Sequence, residues 1–276
     1  MLTRTRWKVQ EIPAEPGEAE GLWAAAREGG ATGAVTSWGS RIPGRRFLRV
    51  FWEVREDAPV PSEGEDLEEE NWTPYWRQTL RAVPVEQGIW LVPAWTEPPN
   101  EAEGTVLRID PGMAFGAGDH PTTRLCLRLL RELAGAGRLP DRVLDVGTGT
   151  GVLALAAAVW GAGEVIALDI DPFGFAACRR NARLNGLEDR VRPLLLSPDL
   201  LRGRYPLVLA NIVASQLRTL APDLRRFLAP AGRLVVSGFQ AEEADGVATA
   251  LGLPLEERRE EDGWVALVLA GREEEP

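Results

Sequence analysis

Residues 142–159, RVLDVGTGTGVLALAAAV, constrain the fold of this chain more than any other stretch. RVLDVG is a short apolar run that suits a buried strand and is too brief for a helix. Gly147, Gly149 and Gly151 follow at two-residue spacing, and VLALAAAVW then reads as a helix. Glycine between strand and helix lets a ligand lie against the backbone, where any Cβ would clash. The next strand, EVIALDI, carries Asp169 near its end, about twenty residues past the glycines, where an acid can accept hydrogen bonds from both hydroxyls of a ribose. A glycine-rich turn alone is a weak signal. Set between strand and helix, with an acid closing the next strand, it specifies a nucleotide site.

The pattern around it is an alternation. TTRLCLRLLREL predicts an amphipathic helix ended by Gly135 and Gly137. DPFGFAACRRNARLNG predicts another, with Asp171 as N-cap, Pro172 at the first helical position and Gly186 as the stop. VRPLLL, PLVLANI and RLVVSGF read as strands, and QLRTLAPDLRRFLA as a helix between the last two. LPLEERREEDGWVALVLAG reads as two strands around a turn at Asp262-Gly263. Alternating strands and helices imply a parallel sheet wound on both faces, and the closing hairpin implies an antiparallel last strand.

The first hundred residues are built differently, since eight of the ten tryptophans lie there. Residues 1–58 read as a small α/β unit: strands RWKVQEI, GAVTSW and RFLRVFWEV, and the helix GEAEGLWAAAREGG. DAPVPSEGEDLEEE, rich in proline and acid, marks a boundary and reads as a solvated linker and helix start. The expected organisation is an N-terminal unit over 1–58, a linker with an aromatic helix over 59–98, and an α/β domain over 99–276.

The glycine spacing is G-x-G-x-G, not the G-x-G-x-x-G of dinucleotide sites. The single histidine, His120, precedes the glycine turn, so no hydride-transfer partner is evident. Asp145 would face the positive end of a ligand better than a pyrophosphate. S-Adenosylmethionine is cationic at sulfur, carries an ammonium and has no phosphate, so the pattern points to a methyltransferase. The net charge of −10 argues against broad binding to nucleic acid and suits a basic partner. With one histidine and two separated cysteines, Cys126 and Cys178, no metal site is expected, and both thiols read as core. No apolar run reaches membrane-helix length and the start lacks a signal-peptide core, so a cytoplasmic protein is expected.

DPGMAFGAGDHPTT (110–123), VLDVGTGTGVLALAAA, LDIDP and ANIVA together resemble the methyltransferases of large-subunit ribosomal protein L eleven (L11), the PrmA family. The resemblance runs from residue 70 to the end, through ENWTPYWRQTLRAVPV and IWLVPAW. It implies a seven-stranded, Rossmann-like class I methyltransferase domain behind a small N-terminal α/β domain. It also implies S-adenosylmethionine-dependent methylation of the α-amine and lysine side chains of L11. Carried onto this chain, Thr123, Gly147, Asp169 and Asn211 sit where the family contacts cofactor, with Thr148, Gly149 and Ile170 beside them. Phe115 belongs to the loop expected to close over the site. Asn211 and Thr123 are the implied catalytic pair. The family's usual Gly-Thr-Gly is Gly116-Ala117-Gly118 here, so any hydroxyl contact at residue 117 is lost.

Some readings stay open at this level. His120 suits both a helix cap and a cofactor-side role. Asn211, at a strand tip, suits a turn as well as an amine-binding group. A PrmA-like lysine methyltransferase acting on a different protein is an alternative, and an NAD-dependent oxidoreductase a remote one. An adenine-modifying enzyme would usually continue Asn with Pro-Pro-aromatic, where this chain has Asn-Ile-Val-Ala.

Overall fold

Strand β1 (Arg6–Pro13), helix α1 (Ala19–Glu28) and strands β2 (Gly33–Trp38), β3 (Arg46–Glu53) and β4 (Glu65–Glu68) open the chain. The structure is a computed structural model that describes residues 5–15, 17–38, 46–69, 73–86, 88–114, 116, 118 and 120–272. Helix α2 (Thr73–Thr79) and strands β5 (Val83–Glu86), β6 (Ile89–Pro93) and β7 (Thr105–Ile109) follow. The alternating region comprises α3 (Pro121–Gly135), β8 (Arg142–Val146), α4 (Val152–Val159), β9 (Glu164–Asp169), α5 (Pro172–Leu184) and β10 (Val191–Leu196). It continues through β11 (Tyr205–Asn211), α6 (Ala214–Thr219), α7 (Ala221–Phe227), β12 (Leu228–Gln240), α8 (Ala244–Leu251), β13 (Leu255–Glu261) and β14 (Trp264–Ala270).

Local chemistry explains the ends. Asp171 accepts a hydrogen bond from the Phe173 amide at 2.9 Å, capping α5 as its sequence implies. Pro222 has no amide to donate, and the predicted single helix over 216–229 breaks at Leu220 into α6 and α7. Asp262 and Gly263 both have positive φ (52° and 78°), the backbone that a tight hairpin demands.

The strands of the wound region lie in the order β13-β14-β12-β11-β8-β9-β10, with β14 antiparallel to both its neighbours. The sheet does not stop at β10. It continues through β2, β3, β1 and β4 to eleven strands. The join is a parallel pairing of Leu195 with Gly33 and Leu196 with Ala34. A Cβ on Gly33 would overlap the Leu195 carbonyl, so only glycine lets β2 come this close. The acid-rich run expected to be linker and helix start contains β4, an edge strand on β1 held by Lys8–Asp66 at 2.9 Å. The pairing satisfies backbone that β1 would otherwise leave open.

The two parts share their cores. Ala14, Ala19, Leu48, Val50 and Trp52 pack in one cluster with Leu196, Leu200, Leu201 and Tyr205 on one face. On the other face Trp7, Val9 and Phe51 meet Phe175 and Ala176 of α5. A second, three-stranded sheet, β5-β6-β7, lies in the same core cluster as α3 and α4. Strand β7, which leads into the 110–123 loop, thus belongs to that small sheet and not to the wound one. Cys126 and Cys178 are buried, and burial pushes the Cys126 thiol up to about 12. Among the described residues no helix is long and apolar enough to cross a membrane.

Candidate functional site

A cavity of about 840 Å³ opens at the carboxyl ends of β8, β9 and β11, where a wound parallel sheet places its ligands. Its floor is the glycine turn. Gly147, Gly149 and Gly151 have φ of 71°, 54° and 85°, a region that side-chain-bearing residues rarely enter. A Cβ on Gly147 would overlap the Ile212 side chain, and one on Gly151 would lie 2.6 Å from Cys178 Sγ. The turn is thus pressed between the end of β11 and α5, with its backbone facing the cavity.

Two carboxylates flank it. Asp169 accepts hydrogen bonds from the Gly149 amide (2.8 Å) and the Asp171 amide (2.9 Å), one on each oxygen. Each oxygen keeps a further lone pair for a ligand hydroxyl. Burial raises its pKa to about 6 against the lowering effect of those amides. Gly174 leaves room for the carboxylate: a Cβ there would stand 2.5 Å from Asp169 Oδ2. Asp145, also lining the cavity, accepts from Thr148 Oγ1 at 2.6 Å. Burial lifts its pKa to about 7, and the nearby Asp169 adds to the rise. Thr148 lines the cavity, but its hydroxyl is directed to Asp145. Ile170 is 48% exposed on the cavity wall, an apolar surface next to the acid.

The far end of the cavity is made by β11, α3 and β14. Asn211 Nδ2 lies 3.4 Å from Thr123 Oγ1, and Asn211 Oδ1 is buried with no hydrogen-bond partner among the described residues. His120 is placed at both the helix start and the cavity. It caps α3, its Nδ1 accepting from the Thr122 amide at 3.4 Å, and its ring lines the cavity edge-on to Trp264 at 4.5 Å. Phe115, like Ala117 and Asp119, lies outside the described residues. The glycines between them are described: Gly116 (φ 106°) accepts from Thr150 Oγ1 at 2.5 Å, and a Cβ on Gly118 (φ 102°) would overlap Leu91.

The structure therefore brings Thr123, Gly147, Thr148, Gly149, Asp169, Ile170 and Asn211 to one cavity. Sequence reasoning missed others. Trp264 at the start of β14, Pro198 just past β10 and Gly238 near the end of β12 also line it. Asn181 was missed as well. It donates to the carbonyls of Asp110 (3.1 Å) and Thr150 (2.9 Å) and accepts from the Asp110 amide, tying the entry of the 110–123 loop to the glycine turn. Trp76 adds a bond to the Gly112 carbonyl at 2.6 Å, and Arg180 an ion pair to Asp110 at 2.9 Å. Only the tryptophan-rich linker signalled any of this.

The donor set fits one kind of ligand. A cradle that a Cβ would fill, a buried carboxylate with free lone pairs, and an unpartnered amide oxygen suit a nucleoside bearing a cationic arm. With the wound sheet and its antiparallel β14, they define an S-adenosylmethionine-dependent methyltransferase. Comparison with known proteins gives the family. Residues 53–272 match the family model described as ribosomal protein L11 methyltransferase (PrmA), and the chain belongs to that family. A ribosomal protein L11 methyltransferase of Symbiobacterium thermophilum is 39% identical over 278 residues, covering 96% of this chain and 85% of that protein. One from Pelobacter propionicus is 42% identical over 207 residues, covering 73% of this chain and 67% of its own. The crystal structure of a ribosomal protein L11 methylase from Lactobacillus delbrueckii subsp. bulgaricus superposes with a TM-score of 0.63 at 31% identity, over 70% of this chain and all of that one.

Proposed function

We propose that this enzyme methylates the α-amino group and lysine side chains of ribosomal protein L11, with Asn211 and Thr123 presenting the amine. The observation that carries the reading is the buried, unpartnered Oδ1 of Asn211 at the end of the cavity. A buried amide oxygen without a partner is costly, and an amine N–H is the group that would relieve it. Bound S-adenosylmethionine supplies an activated methyl group on a cationic sulfur. The chain's own residues do the rest. Gly147, Gly149, Asp169 and Ile170 would hold the cofactor: the glycine backbone would lie beside it, Asp169 would accept from the ribose hydroxyls and Ile170 would pack on the purine. Thr148 holds Asp145 in place. Thr123 orients the Asn211 amide, so that Oδ1 points at the attacking nitrogen.

In-line transfer needs a neutral nitrogen about 3–3.5 Å from the methyl carbon. At pH 7 deprotonating a lysine costs about 4.6 kcal/mol, against about 1 kcal/mol for an α-amine, so the α-amine is the easier target. The proton leaves to water before or during docking. In this reading residues 1–58 recognise the substrate, 59–98 link, and 99–276 catalyse. The net charge of −10 favours a basic protein partner over nucleic acid, and the place of action is the cytoplasm, on L11 free or ribosome-bound.

Intact-mass spectrometry of unmethylated L11, incubated with the enzyme and S-adenosylmethionine, tests the proposal. Steps of one methyl mass that vanish in Asn211→Ala are expected. An unchanged mass, while S-adenosylhomocysteine still stabilises the enzyme to heat, would transfer the reading to a different protein substrate.

A further inference from the structure

The connection from β10 to β11 is unlike the others around the cavity. From β8 to β12 every other crossover carries α-helix, whereas this one has only a three-residue 3-10 turn, Pro198–Leu200. Pro198 lines the cavity. Because β10 lies outside β9 in the sheet, Pro198 stands beyond the ribose position set by Asp169, on the purine side. A wall this short has little of its own domain to hold it. Arg226 of α7 does so from one side, donating to the carbonyls of Pro198 (2.6 Å) and Leu201 (2.7 Å).

The other side is held from the N-terminal unit. Ser197, 3% exposed, donates its amide to the Ala34 carbonyl at 3.0 Å and accepts from the Thr36 amide on Oγ at 2.8 Å. Thr36 Oγ1 donates to Asp199, 3.0 and 3.2 Å from its two oxygens, and lies 3.2 Å from Ser197 Oγ. Asp199, the acid of this turn, is thus turned onto Thr36 and is not among the residues lining the cavity.

We infer that Thr36 is a positioning residue of the cofactor site: through Ser197 and Asp199 it fixes the Pro198 wall, so that docking of the N-terminal unit and binding of the cofactor's purine end favour each other. The inference rests on the cavity being the cofactor site with Asp169 at the ribose. Coupling of this kind is reciprocal, because a ligand that binds the fixed wall better than a loose one must strengthen the contacts that fix it.

Calorimetric titration with S-adenosylhomocysteine is the test. Thr36→Val keeps the side-chain shape and the backbone amide but removes the hydroxyl. Its Kd is expected to rise roughly tenfold, in the range of one hydrogen bond to a charged group, while kcat at saturating cofactor stays within about twofold. Thr36→Ser should restore the affinity. Deuterium exchange supplies the reciprocal reading. In the unaltered protein the ligand should slow exchange over 33–36 and 195–201, and in Thr36→Val the slowing over 33–36 should be lost. A lower melting temperature with an unchanged Kd would mean a structural contact only and would overturn the inference, as would ligand protection confined to residues after 99. Unaltered affinity in Asp169→Ala would remove the cavity reading itself, and the inference with it.

Discussion

Asp145 and Asp169 are carboxylates placed where water is scarce and only a few hydrogen bonds compensate. Their raised pKa values, about 7 and about 6, set a definite pH behaviour. The folded protein binds these protons more tightly than the unfolded chain, so their contribution to stability is fully present below pH 4. It is lost as pH rises through 6 and 7. Ligand affinity runs the other way, since an ionised Asp169 accepts ribose hydroxyls and an ionised Asp145 faces a cation. The Kd for S-adenosylmethionine should therefore fall between pH 5.5 and 7.5 by calorimetry, while the ligand-free protein loses stability to urea over the same interval. Asp145→Asn should flatten both curves, and a pH-independent Kd in the unaltered protein would refute the account. Asn211 carries a second expectation. Asn211→Ala should lower kcat/KM on an amine substrate by roughly 100-fold or more, the scale of a lost positioning contact, with S-adenosylhomocysteine affinity changed by only a few-fold. At this scale the sequence was informative wherever a residue's place at the cavity follows from its position on its own strand, as for Gly147, Asp169 and Asn211. Trp264 and Thr36 carried no such mark, because only the fold brings them to the cavity or its wall.

Among the elements, the pairing of β2 with β10 has the strictest requirement. It spans two residue pairs, and Gly33 meets the Leu195 carbonyl so closely that no side chain fits between them. Gly33→Val must push β2 outward and break the Ser197 amide bond to Ala34 at the same edge. We expect a loss of about 1–3 kcal/mol in unfolding free energy, the usual range for overpacking. Weaker S-adenosylhomocysteine binding should accompany it, because the Pro198 wall loses its outer support. Urea titration and calorimetry on the same variant check both, and full stability with full affinity would show that the join is not needed. Helices α3 and α5 and strands β8 to β12 were legible because each buries an apolar face, with a side-chain cap opening both helices, whereas α8 has no such cap and was not read. The β4 edge strand was not legible either. EDLE has three acids and one apolar residue, and it is a strand because β1 offers an open backbone edge, a condition absent from its own composition. Nor could the sequence show that β7 leaves the main sheet, because a strand's pattern says which face is apolar and not which partner it meets.

For the whole molecule the question is whether two units or one cooperative body respond to denaturant and ligand. A small domain before a Pro- and acid-rich boundary suggested separable parts. The continuous sheet joins them, and so does the core in which Trp52 and Leu48 pack with Leu200, Leu201 and Tyr205. Polar contacts follow the same seam: Arg179 donates to Glu53 at 2.8 Å, and Arg180 lies 3.3 Å from Glu69 while pairing with Asp110. With a shared core, losing one part leaves the other with bare apolar surface, so the two should unfold together. The uneven tryptophans make this measurable. Eight of ten lie before residue 100, so fluorescence weights the N-terminal half, whereas far-ultraviolet dichroism weights the helices, most of which follow residue 120. The two urea transitions should coincide, and S-adenosylhomocysteine at 100 times its Kd should stabilise both by the same amount, about 2.7 kcal/mol. Fluorescence that changes at lower urea and ignores the ligand would mean an N-terminal unit that comes away on its own. In that case the seam seen here would be one arrangement of two independent bodies, and substrate recognition would not be felt at the cofactor.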